Sequence, residues 1–134
     1  MGLDYTFSMI KPDAVRRGLI GNILFDIVDA GFSVAKIRKF RMSLAEAKEF
    51  YKSLSHLPFY DELCQYITSD DVVGMVLTRE NAVLDFRELI GSTDPLQAKP
   101  CTIRRKYGID KGMNSIHGSD SDESAERESS FFDL

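Results

Sequence analysis

The sequence is poor in the residues that usually announce a chemistry. It has two cysteines in 134 residues, Cys64 and Cys101, and they form no C-x-x-C pair. That excludes a dense disulfide framework and points to a reduced interior compartment. It has two histidines, His56 and His117, far apart, so no histidine–cysteine cluster has zinc spacing. There is no basic surplus. Lys and Arg number 17 against 21 Asp and Glu, a net charge of −4, which speaks against a dedicated nucleic-acid binder. A local basic pocket remains open, because pockets depend on placement and not on the sum. No apolar run approaches the roughly 20 residues that cross a bilayer. The N-terminus lacks the basic stretch and apolar run of a secretory signal, and Gly2 to Thr6 fits an N-myristoylation signal poorly. A soluble, cytoplasmic chain with no membrane partner is expected. There is also no Gly-x-x-x-x-Gly-Lys-Ser/Thr loop and no Gly-x-Gly-x-x-Gly, so neither a Walker-type nor a protein-kinase-type phosphate site is supported.

What is present suits one globular domain covering residues 1–134. The hydrophobic fraction is 43%, and a chain of this length buries a core without staples. Large and small side chains alternate over 5–10, then stop at Lys11-Pro12; this reads as a strand with Lys11 held extended before the proline. Ile23, Leu24, Ile27 and Val28 share one face of a helix over 21–30, with Gly31 as its left-handed cap. A strand follows over 32–40. Ser43 and Glu46 form a capping box for a helix over 44–53, and a further helix spans 59–67. The apolar run 72–77 is a central strand. A helix over 81–90 is stopped by Gly91. Residues 92–112 show little periodicity, and long irregular segments in compact domains are usually functional. A fourth strand is expected early in that segment or near Ser115. The last helix is expected from about Asp120 to Phe132, with Asp120 as cap and Glu123 at capping-box distance. Such alternation predicts an α/β sandwich around one sheet.

His117 is the residue on which the sequence points to chemistry. Gly118 beside it removes bulk, and the predicted helix start follows. Histidine acts as a covalent nucleophile, dividing one transfer into two easier steps. If the last helix folds back, Glu128 reaches Ser119 and fixes the surroundings of the ring. Phosphoryl transfer needs cations aimed at phosphate oxygens. Arg87, Lys99, Arg104, Arg105 and Lys106, with Thr93 and Thr102, are candidates, the arginines foremost because a guanidinium binds phosphate as a fork. Each position has a plainer alternative. His117 is otherwise an ordinary loop histidine, Arg104-Arg105-Lys106 a solvated charge run, Phe59 and Tyr51 packing residues, and Lys11 a solvated strand end.

The segment Asn114-Ser115-Ile116-His117-Gly118-Ser119-Asp120-Ser121 closely resembles the active-site signature of nucleoside diphosphate kinases. Ile10-Lys11-Pro12-Asp13, Pro58-Phe59, Gly91-Ser92-Thr93-Asp94-Pro95 and Thr102-Ile103-Arg104 fall in that family's order and spacing. Together they cover nearly the whole chain. The resemblance implies a ferredoxin-like βαββαβ core, a four-stranded antiparallel sheet with added helices and a long loop. It implies transfer of a terminal phosphate from ATP or another nucleoside triphosphate to a diphosphate by a ping-pong route. By similarity, His117 is the phosphorylated nucleophile, oriented by Ser119 and Glu128, with Tyr51 nearby. Lys11 and Asn114 contact ribose and phosphate, Arg87, Thr93 and Arg104 hold phosphate, Phe59 stacks on the base, and Leu63 lines the same cleft. Magnesium rides on the nucleotide phosphates, linked through water to Asp120. A homo-oligomer is expected. Stacking reads a π-face and suits a broad nucleotide range.

Four positions depart from the family pattern. Cys101 stands where glycine is usual, Arg105 where a small residue is usual, Lys111 where an apolar residue backs the base, and Leu57 where arginine is common. Arg105 and Lys111 are expected to alter base preference or nucleotide affinity. Two other classes compete with an enzyme: a scaffold of the same fold without catalysis, and a single-strand nucleic-acid module. The retention of Lys11, Arg87, Arg104, Asn114, His117 and Ser119 argues against the first. The acidic charge and the missing aromatic RNP pattern argue against the second.

Overall fold

The computed structural model describes residues 4–134; the part of the N-terminal reading that rests on residues 1–3 lies outside them. Strand β1 (Tyr5–Ile10) stops at Lys11, which is extended at φ −82°, ψ 162°. Pro12 then opens a five-residue helix, α1 (Pro12–Arg16), that sequence reading does not anticipate. Proline suits that first position because its missing N–H has no helical partner there. Helix α2 (Ile20–Asp29) buries Ile23 and Ile27. Gly31 ends the turn at φ 97°, donating its N–H to the Val28 carbonyl. Strand β2 (Ser33–Phe40) follows.

Both halves of the Ser43/Glu46 capping box are present at the start of α3 (Leu44–Phe50). That helix ends three residues earlier than its composition predicts and gives way to one 3-10 turn (Lys52–Leu54). Then come α4 (Tyr60–Ile67), β3 (Val72–Thr78) and α5 (Ala82–Ile90). The segment expected to be irregular over 92–112 contains a short helix, α6 (Ile103–Tyr107), capped by the Thr102 hydroxyl. The fourth strand is β4 (Ile116–Gly118), and α7 (Asp122–Phe131) follows.

The four strands form one sheet in the order β2-β3-β1-β4, and every pairing is antiparallel. With a helical segment between β1 and β2 and another between β3 and β4, the core follows the expected βαββαβ order. Period-2 alternation sends the two faces of the sheet into separate apolar clusters. Val73, Met75 and Leu77 meet α2 and α5 through Ile23, Ile27, Phe86 and Ile90. Phe7 and Met9 meet α3, α4 and the end of α7 through Phe50, Cys64, Ile67 and, one residue past α7, Phe132. Among the described residues, no helix is long and apolar enough to cross a membrane.

Two local expectations need correction. Asp120 does not cap the last helix. Ser121 does, its hydroxyl accepting the Ser124 N–H at 3.1 Å, while the Asp120 carboxylate accepts the Ser124 hydroxyl. The chain leaves β4 extended through Ser121 (φ −157°, ψ 167°), so the capping geometry falls one residue later. His117 is not on a connection ahead of a helix. It is the middle residue of β4, opposite Met9 of β1.

Candidate active site

The placement of His117 follows from strand pairing. Its carbonyl accepts the Ser8 hydroxyl at 2.9 Å, fixing the edge strand to β1. Its ring lies between Phe7, with centroids 6.1 Å apart, and Phe50, edge-on at 5.7 Å. Gly118 lets β4 approach α5: a Cβ there would meet Ile90 and Phe86 carbons at 3.0 Å. The His117 side chain keeps about a fifth of its surface exposed (20%).

The ring's chemistry is set by α7. His117 Nε2 lies 2.9 Å from Glu128 Oε1. An ionised carboxylate only accepts, so Nε2 carries the proton and the neutral ring's lone pair sits on Nδ1. The Ser119 hydroxyl donates to the same Oε1 at 2.6 Å, and Arg127 Nη2 lies 3.7 Å from Oε2. Glu128 is buried. It is held by two donors on one oxygen and a cation near the other, and so locks the imidazole orientation. The predicted fold-back of α7 onto Ser119 is thus present as geometry.

Cations gather along β4 and the segment that leads into it. Arg104 is buried on α6 and spans the base of the site. Its Nη1 donates to the Gly91 carbonyl at 3.0 Å, while Nη2 and Nε donate to the Ile116 carbonyl at 2.9 and 3.3 Å. A guanidinium has five donors, so two remain. Burial and the nearby Arg87 lower its pKa to about 10. Gly91 makes the approach feasible: it has φ 87°, and a Cβ would stand 2.6 Å from the Thr102 hydroxyl. Lys11, at the end of β1, is buried and donates to Asn114 Oδ1 at 2.9 Å. Burial, with Arg104 adding repulsion, lowers its pKa to about 8. Asn114 donates in turn to the Thr93 and Lys111 carbonyls at 2.9 and 3.1 Å. Arg87 is exposed on α5, where its charge acts on both Arg104 and Asp120. Buried cations that repel one another make a field awaiting an anion.

The other sequence candidates sit around this cluster. Tyr51 is buried with its ring edge-on to Phe50, and burial together with Glu128 pushes its hydroxyl pKa up. Thr93 is exposed, and its carbonyl holds Asn114. Phe59 caps the start of α4 with about half its surface exposed, and Leu63 follows one turn later, half-buried. Among the described residues, no hydrogen bond or ring contact joins Phe59 or Leu63 to His117. Asp120 is exposed, and the Ser124 hydroxyl holds its carboxyl below the usual range. Arg105 is tied to the Leu96 carbonyl at 3.1 Å, and Lys111 is exposed. Sequence reasoning gave no role to Phe7, Phe50, Ser8, Asp13 or Tyr66. Of these, only Asp13 carried a signal, as part of the Ile10–Asp13 motif.

Relatives share this arrangement's sequence and fold. A family model for nucleoside diphosphate kinase matches residues 4–133. A nucleoside diphosphate kinase of Methylobacterium nodulans is 48% identical over 99% of this chain and 96% of its own. One from Persephonella marina is 42% identical over 98% and 94%. Among solved structures, the Aquifex aeolicus nucleoside diphosphate kinase superposes with a TM-score of 0.94 at 40% identity, covering 96% of this chain and 94% of that one. A Halobacterium salinarum nucleoside diphosphate kinase in complex with CDP gives 0.92 at 41% identity, covering 96% and 86%. The ring locked by a buried carboxylate and the cations along its strand therefore stand in a chain that belongs to the nucleoside diphosphate kinase family.

Proposed function

We propose that this nucleotide phosphotransferase carries the transferred group on Nδ1 of His117. In the first half-reaction the Nδ1 lone pair attacks the γ-phosphorus of a nucleoside triphosphate. The bond from that phosphorus to the β–γ bridging oxygen breaks, and the nucleoside diphosphate leaves with those electrons. Nε2 keeps its proton, and Glu128 stabilises the positive charge that the phosphorylated ring gains. In the second half-reaction a terminal oxygen of another diphosphate attacks the same phosphorus and the P–N bond breaks. Ser119 acts through Glu128, holding it in place.

Lys11, Arg87 and Arg104 supply the charge that phosphate oxygens need, with the Thr93 side chain as a further donor and Asn114, its two amide protons held by the Thr93 and Lys111 carbonyls, orienting Lys11. Phe59 offers an exposed ring on which a base stacks, and Leu63 lines the same wall. Tyr51 packs the far side, beside Phe50. Broad acceptance of bases fits a wall that reads a π-face. Magnesium enters with the nucleotide. A Mg²⁺ ion shared with substrate phosphates needs only one or two carboxylates, often through water. Asp120, exposed and ionised beside Arg87, fits that need.

We further propose that the whole chain is one such domain, working in the cytoplasm as a homo-oligomer. What supports assembly is the exposure of apolar side chains on α2, Phe25 (67% exposed) and Val28, and of Ile37 on the edge strand β2.

The observation that carries the reading is the 2.9 Å contact from Nε2 to a buried carboxylate, which leaves Nδ1 as the nucleophile. Incubation with a γ-labelled nucleoside triphosphate tests it. The expected result is an acid-labile, base-stable label on the protein, lost in His117→Ala. A label that survives in His117→Ala overturns it.

A further inference from the structure

We propose that Ser115 is a positioning residue, whose left-handed backbone sets the anchors for both Lys11 and Arg104. The inference rests on the reading of those two cations as phosphate ligands.

Among the described residues, the non-glycine residues with positive φ are Asn81, Cys101, Ser115 and Asp133. Cys101 and Asp133 are exposed and Asn81 is partly buried. Ser115 alone is fully buried, at 0% exposure with φ 77°. Asparagine and aspartate enter that region with help from their own side chains, which serine lacks. The Ser115 hydroxyl gains nothing in exchange: it is buried with no hydrogen-bond partner among the described residues. Strain of this kind persists only where the surroundings fix it, and it gathers at functional sites.

The surroundings are a run of three anchors. Asn114 Oδ1 accepts the Lys11 ammonium at 2.9 Å. The Ser115 carbonyl accepts the Lys11 backbone N–H at 2.9 Å. The Ile116 carbonyl accepts Arg104 Nη2 and Nε at 2.9 and 3.3 Å. Lys11 is thus pinned at its N–H and at its Nζ by two adjacent residues.

A regular strand could not make both bonds. The register that pairs Ile10 with Ile116 puts Lys11 opposite Ser115. Residues directly opposite share a face of the sheet, and the residue before points to the other face. Extended backbone at Ser115 would therefore send the Asn114 side chain away from the Lys11 ammonium. The left-handed turn brings it back, and the Thr93 and Lys111 carbonyls hold it there. Bonded and non-bonded pairs alternate along an antiparallel ladder. Lys11 bonds Ser115, so the Ile116 carbonyl faces away from β1, toward the open side of the edge strand, where Arg104 meets it.

The test is steady-state transfer from ATP to a nucleoside diphosphate, with KM for ATP and kcat read separately and circular dichroism to confirm each fold. Glycine adopts a positive φ without strain, so Ser115→Gly should keep KM within about twofold of wild type. A β-branched residue resists that backbone, so Ser115→Val should raise KM by roughly tenfold, the weight of one charge-assisted hydrogen bond. Ser115→Thr keeps the hydroxyl and should do the same; it serves should the valine variant not fold. A serine that only supported the fold would, when replaced, cut the active fraction and hence kcat, and leave KM in place. Lys11→Gln and Arg104→Gln should each raise KM. If they do, and a folded valine or threonine variant keeps the wild-type KM, or Ser115→Gly shares the rise, the Ser115 inference is overturned and the phosphate reading stands. If either cation variant leaves KM unmoved, the phosphate reading falls and this inference with it.

Discussion

Replacing Glu128 by glutamine is the sharpest probe of the site, because it changes charge and almost nothing else in shape. In the native site Oε1 receives two donors, His117 Nε2 at 2.9 Å and the Ser119 hydroxyl at 2.6 Å. The glutamine amide loses the negative charge that balances the phosphorylated ring. It can also rotate to donate to Nε2, which would move the ring proton to Nδ1 and remove the nucleophilic lone pair. A hydrogen bond to a charged group is worth about 1.5–3 kcal/mol. At about 1.4 kcal/mol per tenfold, phosphorylation should slow by roughly 10- to 150-fold. Ser119→Ala removes one neutral donor and leaves the carboxylate, so a loss of about fivefold is expected, near 1 kcal/mol. The assay is rapid-quench measurement of label transfer from a γ-labelled triphosphate, with thermal melting to confirm that each variant is folded. A folded Glu128→Gln protein labelling within about threefold of wild type, or less impaired than Ser119→Ala, would refute the argument.

Three further outcomes follow from other parts of the molecule. Cys101 is not glycine yet sits at φ 71°, so Cys101→Gly should raise the unfolding free energy by about 1 kcal/mol in urea titration; a decrease would show that the thiol's contacts outweigh the strain. The Arg105 guanidinium bonds the Leu96 carbonyl, so Arg105→Gly should raise KM for all nucleotides alike, and an altered ratio between bases would contradict that. Phe25→Glu places a charge on the open face of α2 beside β2, and analytical ultracentrifugation should then show smaller assemblies than wild type; unchanged sedimentation would exclude that face.

Much of this architecture could be read from local patterns. The Val72 to Leu77 run is a central strand because both its faces are covered, one by α2 and α5 and the other by α3, α4 and α7. Ser43 with Glu46, and Gly31 at φ 97°, did as their chemistry required. The misses have two causes. Helices α1 and α6 have five residues each, too short for a 3.6-residue period to show. The cap shifted from Asp120 to Ser121 because strand β4 persisted to Gly118, and its pairing with β1 is a non-local contact. The site divides in the same way. Ser119 and Glu128 lie nine residues apart and their meeting could be foreseen. The flanking rings of Phe7 and Phe50, and the Tyr66 hydroxyl on Asp13, join residues separated by far more chain.

Because the imidazole proposed as the nucleophile belongs to a strand laced to its neighbour, it has no arm with which to ferry cargo from one place to another. Incoming and outgoing nucleotides must take turns in a single berth. Whatever restricts one of them, in base, sugar or charge, therefore restricts the other equally, and selectivity cannot be adjusted for donor and acceptor separately.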